Sequence, residues 1–441
     1  MPVIKINEVD KTTSGVGYTA ADIVCVPGLA IPTAIKNYID GGETGEYAPD
    51  AGYVPKVTYT LFTDLAEFEA AVGNKVPFVP GIVLSIAAYS IEDRGYVLAR
   101  ELLSAGIKVL YASHEMKWTE NEGFTAGGYW ELPEAEDYYK SGSPLEDKGD
   151  YDIKFVTYPG YIEVNTAGDE PDYGSRLTSA SDISVMAKFA EKRGDCVAIA
   201  GVNLATAKDM CTETKDGQTT IAAPISSINS SYAAVFVGDT SYVGASGDEV
   251  KLGAELGYLL AYKKSVDAGN PNWLAIAGVN RGYVPNLKSI EFISNTQANT
   301  FQPRNSDTND GWSLNAITDI NTYGHVIWGN RTTKKVDDGV VAGNMLNTRN
   351  MISDIKKLCY KTAVACMFEQ DTEVLWLGFK AKVAELLDRM KSGYGISGYK
   401  IIREKASGNA TICAKVVVYP TYAVENFEIT VVLENAEVTV E

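Results

Sequence analysis

His114, Glu115, Lys117 and Trp118 stand together just past the apolar stretch "IKVLYAS" (107–113). An imidazole beside a carboxylate and an ammonium can move protons, and open α/β sheets place ligands beyond the carboxyl ends of their strands. One reading is therefore a cytoplasmic α/β enzyme with its site near His114. The plainer one is a partly exposed structural histidine, since the only other histidine, His325, belongs to the other end of the chain. "GYGISG" at 393–398 has the G-x-G-x-x-G spacing of a dinucleotide loop. It follows a predicted helix and precedes a strand, the reverse of the order that aims a pyrophosphate at a helix N-terminus, so it reads as a helix cap and turn. "DTNDG" at 307–311 lacks the Gly and Glu that a calcium loop requires at its sixth and twelfth positions, which are Asp310 and Ala316 counting from Asn305. It reads as a polar loop.

Cys359 and Cys366 share one apolar helical stripe, and Cys25, Cys196 and Cys413 sit in apolar runs, a pattern of core thiols rather than metal ligands. Glu131, Glu134, Glu136, Asp137, Glu146 and Asp147 cluster in an acidic, Tyr-rich stretch at 119–150 that reads as a solvated loop. No Walker A or H-E-x-x-H pattern occurs. No residue set gives a specific reason to expect catalysis, a cofactor or a metal.

The elements around these residues alternate between strands and helices. "PFVPGIVLSIAAYS" (77–90), "IKVLYAS", "YDIKFVTYPG" (151–160), "DCVAIAGV" (195–202) and "YAAVFVGD" (232–239) read as strands. "EDRGYVLARELLSAG" (92–106), "SDISVMAKFAEKRG" (181–194) and "DEVKLGAELGYLLAYKKS" (248–265) read as helices. Two stronger helices follow at about 347–368 and 373–391. This is a mixed α/β (α+β) chain whose 441 residues allow several domains. A net charge of −18 argues against a nucleic-acid surface, no apolar run is long enough to span a bilayer, and the first residues lack the pattern of a signal peptide. Six cysteines without close pairs fit reduced thiols.

Both ends carry strand-like arms. Val3, Ile4, Ile6 and Val9 alternate near the start; Phe427, Ile429, Val431 and Leu433, then Val438 and Val440, alternate to the last residue. The last 21 residues hold five Glu and no Lys or Arg. Each arm either adds an edge strand to its own sheet or joins a neighbouring copy by strand addition.

The order of several segments resembles the tail sheath proteins of contractile phages and related contractile injection systems. "GHVIWGNRTT" (324–333), "NMLNTRNMISDIKKLCYKTAVACMFEQDTEVLW" (344–376), "SGYGISGYKI" (392–401) and "VVVYPTYAVENFEITVVLE" (416–434) carry the likeness. "TLFTDLAEFEAAVG" (60–73), "GYVLARELLSAGIKVLYAS" (95–113), "FAEKRGDCVAIAG" (189–201) and "NPNWLAIAGVNRGYVPNL" (270–287) extend it upstream. The resemblance implies a non-enzymatic virion subunit, assembled in the host cytoplasm into stacked hexameric rings around a tail tube, with baseplate and tail terminator proteins as further partners and no nucleic acid or membrane. It implies an N-terminal linking arm (1–20), an outer α/β domain (21–275, with the insertion 119–150 as outward decoration), a tube-facing C-terminal domain (276–420) and a C-terminal linking strand (421–441). Arms would complete sheets shared between copies, and Lys356, Lys357, Lys361, Lys380 and Lys382 would be the candidates for contacts with the tube.

Overall fold

The computed structural model describes residues 22–32, 35, 48–50, 52–80, 84, 90–123, 127–165, 172–176, 179–212, 214–216, 219–221, 223–290, 293–294, 297–298, 312–336, 342–405 and 411–424. The N-terminal arm and the C-terminal arm beyond Val424, and with them Val3, Ile4, Ile6, Val9, Phe427, Ile429, Val431, Leu433, Val438 and Val440, lie outside the described residues, as does the "DTNDG" loop.

An eight-stranded sheet forms the body. Its strands are β1 (Ile23–Ala30), β2 (Val57–Phe62), β3 (Lys108–Glu115), β4 (Ile153–Val156), β5 (Val197–Val202), β6 (Ala233–Val237), β7 (Asn315–Ile320) and β8 (Gly324–Trp328). Their spatial order is β8-β7-β6-β5-β4-β1-β3-β2. The six inner strands are parallel, and β2 and β8 close the two edges antiparallel. Strands β7 and β8 join this sheet from beyond residue 275.

Period-two alternation divides the apolar side chains between two cores. Ile23, Cys25, Leu110 and Ala198 face one side, and Val24, Val26, Val109 and Ile199 the other. The second face is covered by helices α2 (Arg94–Ser104) and α5 (Ala254–Asp267), and the first by α4 (Ala180–Arg193), in the doubly wound manner that parallel strands require. The helices begin where the caps stand. Asp64 accepts from Ala66 N and Glu67 N to start α1 (Leu65–Val72), and Asp93 accepts from Gly95 N and Tyr96 N to start α2. Ser179 and Asp182 form a capping box for α4, and Gly194, at φ 76°, ends it.

Three sequence readings change. Residues 77–90 hold two short paired strands, Phe78–Pro80 and Ser90–Asp93, rather than one. Glu249–Gly253 is a strand paired with Asp239–Val243, so α5 starts only after Gly253. The acidic stretch 119–150 is folded into the body: a hairpin (Lys117–Glu120 with Gly128–Glu131), a short helix α3 (Ala135–Tyr139) and a 3-10 turn (Pro144–Glu146), with Trp130, Tyr138, Tyr139 and Leu145 buried.

A C-terminal unit projects from the body. Helices α6 (Leu346–Val364) and α7 (Glu373–Ser392) pack through Met351, Ile355, Val383, Leu386, Leu387 and Met390 onto a hairpin of β9 (Ile396–Glu404) and β10 (Cys413–Pro420). Among the described residues neither β9 nor β10 has a second strand partner.

Candidate functional site

The chain runs from β1 to β3 on one side and then to β4 on the other, so the sheet order reverses between β1 and β4. That reversal opens a crevice beyond the strand ends where doubly wound proteins bind ligands. Here the protein's own side chains occupy it. From α3, the Tyr138 hydroxyl donates to Gly28 O (3.0 Å) and the Tyr139 hydroxyl to Thr157 O (2.6 Å). Tyr158 and Tyr161 both donate to Pro133 O, at 3.1 and 3.0 Å. Beneath them the buried Asp93 carboxylate accepts from Leu29 N at 2.8 Å, and burial pushes its pKa up to about 6.

His114 belongs to this packing. It is buried rather than partly exposed, its ring meets Tyr138 edge-on at 5.5 Å, and its Nδ1 lies 2.6 Å from Glu115 O. Burial lowers its pKa, which favours the neutral ring. Its sequence neighbours are engaged elsewhere: Glu115 accepts from Lys56 N, Lys117 pairs with Asp137 at 2.9 Å, and Trp118 packs edge-on against Trp130. Glu134 and Asp137 cap α3, and Glu146 pairs with Lys192 at 2.7 Å. Burial pushes the Cys25, Cys196 and Cys359 thiols up to about 12, far from thiolate chemistry at neutral pH. Among the described residues no group of His, Cys, Asp or Glu could hold a metal, and no helix is long and apolar enough to cross a membrane.

The "GYGISG" turn caps α7, as its order in the chain predicts. Its first two glycines make room for Trp273: a Cβ at Gly393 would meet the indole at 2.6 Å and one at Gly395 at 2.7 Å. The left-handed position between them falls on exposed Tyr394 (φ 58°).

Large apolar side chains are exposed on the body at Val54, Leu61, Val243 and Tyr323 and on the C-terminal unit. Phe368, at the α6–α7 turn, is 85% exposed, and Val364, Val374, Leu377, Ile402 and Val424 are exposed with it. The five lysines separate. Lys380 and Lys382 stand exposed on α7. Lys356 donates to the Tyr232 hydroxyl at 2.7 Å. Lys357, only 3% exposed, reaches Asp152 at 2.6 Å, and the more exposed Lys361 reaches the same carboxylate at 2.7 Å.

This architecture matches solved structures along its whole length. A chain of the sheath complex of an extracellular contractile injection system (PVC), in its contracted state, aligns with TM-score 0.55 and 13% identity over 99% of this chain and 98% of that one. A chain from the six-fold symmetrised baseplate of the anti-feeding prophage (AFP) aligns with TM-score 0.53 and 14% identity over 99% of both. A chain of the AFP helical sheath in the contracted state gives 0.52 and 13% over 98% and 99%. The chain has a contractile-sheath fold. No protein-family model and no curated protein matches it. Within this sheath fold tyrosines pack the crevice beyond β1 and β4, and the C-terminal unit carries the most exposed large apolar side chain, Phe368, among the described residues.

Proposed function

We propose that this protein is the structural, non-enzymatic subunit of a contractile sheath in a phage-tail-like particle. The observation that carries the reading is the end-to-end likeness to chains of two contractile systems, with coverage of 98–99% on both sides. Copies stack as hexameric rings around a tube and meet a baseplate at one end.

Residues 1–20 and 421–441 link these copies by adding strands to neighbouring C-terminal units. The edges of β9 and β10, which have no second strand partner among the described residues, support this, and so does charge. The hairpin carries Lys400, Arg403 and Lys415, the last two paired with Asp371 and Glu404 of the same unit, whereas the charged residues of the last 21 are all Glu. Each added backbone hydrogen bond contributes only about 0.5–1.5 kcal/mol, so several per strand, with buried Ile and Val, hold a joint that can survive a large motion. Lys380 and Lys382 are the lysines free to face a tube. Contraction draws on a difference in inter-subunit contacts between two lattice states, with no nucleotide consumed.

Negative-stain electron microscopy of the full-length protein beside a version ending at Pro420 tests the reading. Hollow cylinders from the full chain, and none from the shortened one, are expected. Identical small particles from both, even with a tube template supplied, would sink it.

A further inference from the structure

One face of α6 carries polar residues at strict three–four spacing: Asn347, Asn350, Asp354, Lys357 and Lys361. In sequence this looks like a solvated stripe, yet it is the face laid against the body. Asn347 donates to Trp273 O at 2.8 Å, and Asn350 to the Tyr258 hydroxyl at 2.9 Å. Asp354, 0% exposed, pairs with Lys154 of β4, 1% exposed, at 3.1 Å and accepts from Asn272. Lys357 donates to Asp152 and to Ile153 O, and Lys361 to Asp152. Lys154 is completed by Asp22 at 3.3 Å and by the Tyr262 ring at 5.2 Å.

The signs of these charges are ordered along both sides. Down the helix they run neutral (Asn350), negative (Asp354), positive (Lys357). Along the body they run neutral (Tyr258), positive (Lys154), negative (Asp152). A slip of α6 by one turn, about 5.4 Å, in one direction sets Lys357 against Lys154. A slip the other way sets Asp354 against Asp152. The first slip buries two ammonium groups in a dry site, and the second brings a buried carboxylate against the partly exposed Asp152; both are unfavourable. Apolar packing does not discriminate in this way, because one Leu or Ile can replace another in a neighbouring hole.

We propose that this seam is a register lock: its charge order fixes the axial position of α6, and with it the whole α6–α7–β9–β10 unit, on the body. The lock is independent of the sheath reading, since it concerns one chain only.

The test measures spin-label distances between Lys188→Cys on α4 and Glu385→Cys on α7, in the full chain with Cys211, Cys359, Cys366 and Cys413 replaced. The parent is expected to give one distance. Two double variants are compared with it. Lys154→Met with Asp354→Leu removes the charges. Lys154→Asp with Asp354→Lys keeps a pair but lets Lys357 meet a carboxylate after a slip. Both are expected to show a second distance, displaced by up to about 5 Å, with the larger share in the reordered variant. A single unshifted distance in both overturns the lock. Should either fail to fold, Asp354→Asn, which keeps the shape and an acceptor for Asn272, is read by amide hydrogen exchange over residues 350–361. At least tenfold faster exchange is expected, and unchanged exchange refutes the proposal.

Discussion

The body and the C-terminal unit treat their side chains in opposite ways. The body hides aromatics wherever its topology would leave an opening: Tyr138, Tyr158 and Tyr161 close the crevice beyond β1 and β4. The C-terminal unit leaves Phe368, Val374 and Leu377 in solvent and, among the described residues, two strand edges unpaired, while it buries charge against the body. A filled crevice beside an exposed apolar tip fits the proposed sheath role, in which the chain meets other chains. Its stability and its assembly should therefore respond to different residues.

The largest effect expected from breaking this division is in the crevice. Tyr138→Ala removes a fully buried ring and the hydroxyl that donates to Gly28 O. Loss of such an aromatic costs about 3–5 kcal/mol. Thermal or denaturant unfolding should show that loss, with wild-type stability restored only in part by Tyr138→Phe. If Tyr138→Ala unfolds like the parent, the crevice is not a packed element of the body and the enzyme reading around His114 regains weight.

Asp93 sharpens the same point through pH. Its carboxyl is raised to about 6 by burial, against an ordinary value near 3.8. Between those values the native state binds more protons than the unfolded one, so this group contributes stability as pH falls from about 6 towards 4. It subtracts stability as pH rises through 6. The shift of roughly two units corresponds to roughly 3 kcal/mol. Asp137, Glu146 and Asp152, lowered by their lysine partners, act in the opposite sense at lower pH. The difference in unfolding free energy between the parent and Asp93→Asn should therefore change between pH 7 and pH 5, while a pH-independent difference would show that Asp93 is charged throughout.

Sequence periodicity made the parallel strands β3, β4, β5 and β6 and the helices α2, α4, α6 and α7 legible, because each buries one regular face, whereas β1 and β7 are not among the strands it marks. It failed at 119–150, where Trp130, Tyr138, Tyr139 and Leu145 are spaced irregularly among acids. Their partners, Gly28 and Thr157, are distant in sequence. It did not foresee the body-facing side of α6, where Lys357, offered as a tube contact, and Asn347, Asn350 and Asp354 are buried. Asp354 and Lys154, 200 residues apart, neutralise one another, and only the fold brings them together. At 249–253 the pattern suited a helix, but pairing with Asp239–Val243 prevailed and delayed the helix to Ala254. The alternating arm residues lie outside the described residues, and their reading as strands stays an expectation from sequence.

The smallest effect expected is at the tip of the C-terminal unit, and it separates the two regions most sharply. Phe368 is exposed and held at φ 68°, a left-handed conformation that a bulky side chain adopts at a cost of about 1–2 kcal/mol and glycine adopts freely. A residue selected only for stability of the single chain would not be phenylalanine there. Phe368→Gly should raise the unfolding free energy by about 1 kcal/mol, after glycine's larger unfolded-state entropy is counted. Under the sheath reading the same change should reduce the length or number of cylinders, because an apolar contact between chains is lost. A variant that is more stable yet assembles less assigns Phe368 to the interface, whereas one that assembles like the parent confines its role to the turn. The body offers no counterpart to this test, since its crevice aromatics are buried and their removal destabilises the chain that carries them.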